Sequence, residues 1–222
     1  MGEKVDPLQA CGERSYDFSW LPQTIDNFRL VVDTKQEGNT FLFFHYENDL
    51  GWRWQALYDK EVDDFTVHVI MPLFYFVDIS FIRDSWDEFL VGLQERAVEA
   101  LRKRLIAPQE LFTYEYKKTK ILQWDYEAVL PSKVGPFVLD ISPKNAISMI
   151  NGSFIVGEYR LMDDASGLLF FYNVLREEFF AELRIHNVPE ISHHFDGNNV
   201  QEFEETVKAH LQEELEAIAK RL

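Results

Sequence analysis

One cysteine stands among 222 residues, Cys11, in the polar stretch "QACGERS". An intramolecular disulfide is therefore excluded, and a reducing, cytoplasmic compartment is the expectation. A thiol nucleophile would need a neighbouring base to lower its pKa, and the local sequence offers none. Long apolar runs are also missing. "FTVHVIMPLFYFV" (65–77) is among the longest uncharged stretches and is interrupted by Pro72, well short of the ~20 residues a bilayer-spanning helix needs. The first residues, "MGEKVDPLQA", lack the apolar centre of a secretory signal, and Asp6 occupies the place where a myristoylation pattern wants Ser or Thr. Positive charge is scarce: 22 basic residues face 38 acidic ones, a formal net charge of −16. Affinity for nucleic acid rests on neutralising phosphates, so this balance opposes DNA or RNA as a partner, and equally an anionic membrane. No glycine-rich phosphate loop follows any candidate strand, which removes support for a nucleotide-binding fold.

What is plentiful is aromatic. Nineteen Phe, nine Tyr and five Trp raise the hydrophobic fraction to 46%, enough for a substantial core and too much for a disordered chain. Two segments carry a helical stripe of apolar residues. In 86–105 it runs through Trp86, Phe89, Leu90, Leu93, Ala97, Ala100, Leu101 and Leu105, with Ser85 and Glu88 forming a capping box. In 200–222 it runs through Val200, Phe203, Val207, Leu211, Leu215, Ile218 and Leu222, with Asn199 and Glu202 at the start. Most of the remainder reads as strand, rich in aromatic and β-branched residues: 40–47, 52–59, 65–71, 72–82, 112–120, 121–130, 153–162, 167–175 and 179–188. "ENDLG" (47–51) and "DDASG" (163–167) read as hairpin turns. The expected fold class is α+β: antiparallel sheets packed by two long amphipathic helices.

Two local echoes suggest related, duplicated halves. "AVEALRKRL" (97–105) and "ELEAIAKRL" (214–222) agree at five of nine positions, and "SYDF" (15–18) is echoed by "TYEY" (113–116) in the same order. The expected organisation is a polar leader (1–14), an N-terminal half (15–105), a linker "IAPQELF" (106–112) and a C-terminal half (113–222).

Candidate chemistry is sparse. "HNVPEISHHFD" gathers His186, Glu190, His193, His194 and Asp196, the residue types that bind zinc or iron. Its spacing matches no established ligand pattern, and on an extended chain His193 and His194 point to opposite faces. The expectation is a polar loop without metal or cofactor. In "FFHYENDLGWRW", His45 and Glu47 would share one strand face as a base and its orienting partner, and Trp52 and Trp54 would share a face able to stack on a ligand. Both tryptophans fit equally as core. The acid pairs Asp63/Asp64 and Asp163/Asp164 fall at turns, and "NGS" (151–153) reads as a turn. Lys117, Lys118 and Lys120 look like edge-strand protection. No catalytic residue is assigned. The reading is a non-enzymatic, chaperone-like or regulatory interaction module whose partner carries a basic surface. The alternative is an enzyme or small-ligand-binding protein with an aromatic, His-lined pocket. Nothing in the sequence sets an oligomeric state.

Overall fold

The computed structural model describes residues 6–222, which divide into two compact units, one running to Ile106 and the other Ala107–Leu222. Each holds one seven-stranded antiparallel sheet with helices. In the first unit a short helix α1 (Pro7–Glu13) precedes β1 (Thr24–Ile25), β2 (Phe28–Val31), β3 (Lys35–Glu37), β4 (Thr40–Glu47), β5 (Arg53–Asp59), β6 (Asp64–Ile70) and β7 (Tyr75–Val77). Helix α2 (Trp86–Leu101) follows. The second unit opens with α3 (Tyr114–Lys118) and continues through β8 (Lys133–Val134), β9 (Phe137–Ile141), β10 (Ile147–Ser148), β11 (Ser153–Arg160), β12 (Gly167–Asn173), β13 (Glu178–Ile185) and β14 (Val188–Gly197). It closes with α4 (Val200–Ala219).

The second sheet repeats the strand order of the first. β1-β2-β4-β5-β6-β7, with β3 paired to β4, corresponds to β8-β9-β11-β12-β13-β14, with β10 paired to β11. The irregularities correspond too. The β4–β5 register shifts between Leu42 and Phe44, and the β11–β12 register between Ile155 and Gly157. Just past each shift a large residue faces a small one, but with the sizes exchanged: Phe44 opposite Ala56, and Gly157 opposite Phe170. A Cβ added at Gly157 would sit 2.9 Å from the Phe170 ring, so the second unit needs glycine there.

The central strands β11 and β12 are buried along their whole length. Phe203 of α4 stacks on Phe179 at 4.6 Å and meets Phe170 edge-on at 5.3 Å, fixing that helix to one sheet face. In the first unit Phe89 of α2 packs on Phe43 and Phe65. Both helices begin as the capping residues direct: Ser85 accepts from the Glu88 amide, and Asn199 accepts from the Glu202 amide while Glu202 holds the Asn199 side chain.

Several expected strands are something else. Residues 112–120 form no strand. Thr113 caps α3 by accepting from the Tyr116 amide, Tyr116 is fully buried and Lys117–Lys118 close its last turn. Those lysines therefore complement a helix C-terminus and protect no sheet edge. Residues 121–130 fold as two 3-10 turns, 121–123 and 126–128, that bury Ile121, Trp124, Tyr126 and Leu130. Segment 186–196, expected as a loop, lies mostly in strand β14, paired to β13. Within 106–112, residues 108–111 make a 3-10 turn, and Phe112 belongs to the core of the second unit. In the 1–14 stretch, α1 buries Leu8 and Cys11.

The two echoes also fall out of register with this topology. The helix caps Ser85 and Asn199 are 114 positions apart, whereas "KRL" recurs at a separation of 117, at 103 and 220. Lys103–Leu105 lie in a wide turn of π geometry after α2, while Lys220 terminates α4. Likewise "SYDF" is irregular chain after α1, but "TYEY" begins at the cap of α3 and runs into it. A better echo is Leu21-Pro22-x-x-Ile25-x-x-Phe28 against Leu130-Pro131-x-x-Val134-x-x-Phe137, leading into β1–β2 and β8–β9. The same long-range bond ties each down. Tyr46 donates to the Pro22 carbonyl at 2.8 Å, and Tyr159 to the Pro131 carbonyl at 2.7 Å.

Candidate functional site: two clefts in corresponding places

Each unit has a cleft where its first helix, one sheet hairpin and the start of its last helix meet. In the first unit the cleft measures about 240 Å³. Helix α1 supplies Cys11 and is followed by Arg14. Tyr58 lies next to the end of β5, Asp63 in the turn and Phe65 second in β6, and Asp84, Ser85 and Trp86 lead into α2. Asp63 adopts a left-handed φ of 59°, which brings its carboxylate back to accept from the Tyr58 hydroxyl at 2.6 Å. Burial, then this bond to Asp63, raises the Tyr58 pKa, so the phenol stays a proton donor. Burial also pushes the Cys11 thiol up, leaving it protonated and unsuited to nucleophilic attack. Trp86 forms the aromatic wall, with Tyr16 edge-on at 4.8 Å and Phe65 at 6.0 Å. Over its ring lies the Arg14 guanidinium, 5.8 Å from the centroid.

The second cleft, about 390 Å³, uses corresponding positions. Tyr172 stands where Tyr58 does, Glu177 where Asp63 does, Phe179 for Phe65, and Asn198 and Asn199 for Asp84 and Ser85, all 114 residues on. Glu177 repeats the left-handed backbone with φ 56°. The charges differ. Val200 holds the position 114 residues after Trp86 but does not line the cleft, and α3 with the residues after it adds Lys118 and Lys120 to a lining that includes Glu115 and Glu177. The first cleft is an acidic, tryptophan-walled recess; the second is a roomier one of mixed charge.

The residues singled out by sequence lie elsewhere. Trp52 and Trp54 are both buried, and Trp54 packs edge-on against Phe81 at 5.4 Å; neither indole presents a face to a ligand. His45 and Glu47 do share a face of β4, with His45 Nε2 3.4 Å from the carboxylate. That carboxylate is engaged by Arg29 at 2.9 Å and Arg53 at 3.3 Å. Burial opposes ionisation of Glu47, but the Arg29 hydrogen bond and the charges of His45, Arg53 and Arg29 hold its pKa below the usual value. Burial lowers the His45 pKa despite Glu47, keeping the imidazole neutral at pH 7.

The histidines of 186–196 are paired separately. His193 Nδ1 meets Asp196 at 2.9 Å, His194 meets Glu214 on α4, and His186 meets Asp164 at 3.3 Å. Glu190 instead holds Arg221. Among the described residues, no group of three or more His, Cys, Asp or Glu side chains is placed to hold a metal ion.

One charged group escaped sequence reading. Glu158 on β11 is fully buried, and neither carboxylate oxygen has a hydrogen-bond partner. Arg160 approaches it only to 3.9 Å and gives its 2.7 Å contact to Asp140. Burial, reinforced by Asp140 and opposed by Arg160 and Arg184, pushes the Glu158 pKa to about 8. Its signal was an acid inside the apolar run "SFIVGEY", on a strand shielded on both faces. No helix among the described residues is long and apolar enough to cross a membrane. No family model, curated protein or solved structure matches this chain.

Proposed function

We propose that the chain is a tandem of two copies of one α+β binding module, and that it works as a non-enzymatic interaction protein, chaperone-like or regulatory. Its partner on this reading is a basic protein segment. The observation that carries the proposal is the recurrence of the cleft. Tyrosine, a turn carboxylate at positive φ, phenylalanine and the residues that cap a helix line it in both units, 114 positions apart. The net charge of −16 supplies long-range attraction for a basic segment. In the first unit cleft size favours a side chain over a cofactor, since 240 Å³ falls below the ~300–1,000 Å³ typical of small-molecule sites; the second cleft, at about 390 Å³, lies within that range. A single thiol that is buried fits a reducing, cytoplasmic setting.

The test is a titration of fluorescently labelled peptides, one rich in arginine and lysine and one of equal length rich in glutamate, followed by anisotropy. Saturable binding of the basic peptide alone, weakening from about 50 to about 150 mM salt as screening shortens to roughly 8 Å, is the expected result. Equal binding of both peptides, or of neither, refutes the proposal.

A further inference from the structure

We propose that the first cleft is a specific site for an arginine side chain of the partner, and that Arg14 occupies it as an internal competitor. This deepens the interaction reading above and rests on it. Three observations converge on a planar cation. The cleft is walled by an indole backed by other rings: Trp86 packs on Tyr16 at 4.8 Å and on Phe43 at 4.6 Å, which fixes its orientation. An aromatic face so held attracts a cation without an ordering cost. Two carboxylates, Asp63 and Asp84, border the same recess, so an incoming guanidinium meets both a π-face and negative charge.

The third observation identifies the chemistry of the occupant. A guanidinium is already there: Arg14 lies 5.8 Å from the Trp86 centroid, and among the described residues it forms a long 3.9 Å ion pair with Asp87, whose side chain is almost fully exposed. Arg14 directly follows α1, and its own side chain is half-exposed, so it can leave the ring without unpacking the core. The second cleft provides the contrast. Its lining has no indole, Val200 standing at the position 114 residues after Trp86, and Lys118 and Lys120 offset the charge of Glu115 and Glu177. Recognition of arginine is therefore assigned to the first unit alone.

The experiment uses the full chain, isotopically labelled, and two blocked amino acids, N-acetyl-arginine methylamide and its neutral citrulline analogue. Proton–nitrogen spectra report the Trp86 indole, identified by its loss in Trp86→Phe. The arginine probe should shift the Trp86 indole and Ser85 amide saturably, and citrulline should not. Arg14→Ala should tighten the arginine probe about 2–5-fold, the worth of an exposed cation–π contact, because the competitor is gone. Asp84→Asn, at an exposed position, should weaken it by a similar factor. No shift at Trp86, shifts confined to the second cleft, or unchanged or weaker binding in Arg14→Ala each overturn the assignment. The two proposals fail separately. Basic-peptide binding with a silent Trp86 removes this site and leaves the interaction module. A responsive Trp86 in a chain that binds no basic peptide does the reverse.

Discussion

Replacing Glu158 with glutamine should make the protein more stable at neutral and alkaline pH, an unusual result for removing a charged residue beside two arginines. The carboxyl is fully buried, without hydrogen-bond partners, and its pKa is raised from 4.5 to about 8. Between those two values the folded chain holds a proton that the unfolded chain has released, so stability falls as pH rises. Below about pH 4.5 both states are protonated and the penalty is absent; above about pH 8 both are ionised and it is complete. At ~1.4 kcal/mol per tenfold change in proton affinity, the ceiling is ~5 kcal/mol, of which roughly 3 has accrued by pH 7. Glutamine has nearly the same shape and no titration, so it carries the cost of an unsatisfied polar group and nothing more.

Guanidinium unfolding of both proteins, from about pH 5 to about pH 9, isolates the effect. Taking the difference cancels the first unit and every other titrating group. At low pH the two should agree within about 1 kcal/mol, and the variant's advantage should then grow with pH. If Arg160 instead holds Glu158 as a true ion pair, the sign reverses. The variant would then be weaker at neutral pH, as expected when one partner of a buried pair is removed. Parallel profiles, or a deficit at pH 7, would refute the reasoning.

Leu211→Ala should cost about 2–5 kcal/mol in chemical denaturation, because Leu211 is buried in the second core; no measurable change would place that face of α4 outside it. Tyr46→Phe and Tyr159→Phe should each cost about 0.5–1.5 kcal/mol, since each removes one hydroxyl bond to a proline carbonyl; clearly unequal costs would count against equivalent modules. Labelled duplex DNA and RNA should show no appreciable binding at about 150 mM salt. Salt-sensitive micromolar binding would mean that the charge is segregated enough to create a basic face.

The legible parts of the fold were those in which one short segment contains its own cause. Ser85 with Glu88 and Asn199 with Glu202 start the two longest helices where the capping pattern puts them. The aromatic runs at 40–47 and 167–173 are strands because their side chains fit a pleated sheet buried on both faces. Short elements were harder. In "TYEYKK" the alternation of aromatic and polar residues imitates a strand, but a cap at Thr113 and one buried anchor, Tyr116, decide for a single helical turn. The clefts were invisible for a different reason. Their walls come from segments separated by tens of residues, and only the hairpin and cap bring Tyr58, Asp63 and Trp86 together.

The exchange of sizes between the two sheets explains why repeated letters mislead here. Phe44 opposite Ala56 and Gly157 opposite Phe170 fill the same kind of space with the bulk on opposite strands. On the tandem reading, one change tolerates the other, because a packed core constrains total volume more tightly than identity at any one site. Residues under that constraint drift in compensating pairs and stop matching by letter. "KRL", past the regular part of α2 and at the end of α4, occupies different places in the two units, with Leu105 buried and Leu222 exposed, and recurs three residues out of register. Backbone requirements behave differently, since no partner can compensate for them. On the tandem reading, a proline carbonyl that accepts a buried tyrosine and a turn carboxylate at positive φ recur in place. Such positions, Leu21-Pro22 with Leu130-Pro131 and Asp63 with Glu177, are therefore where a relationship between the two units is best sought.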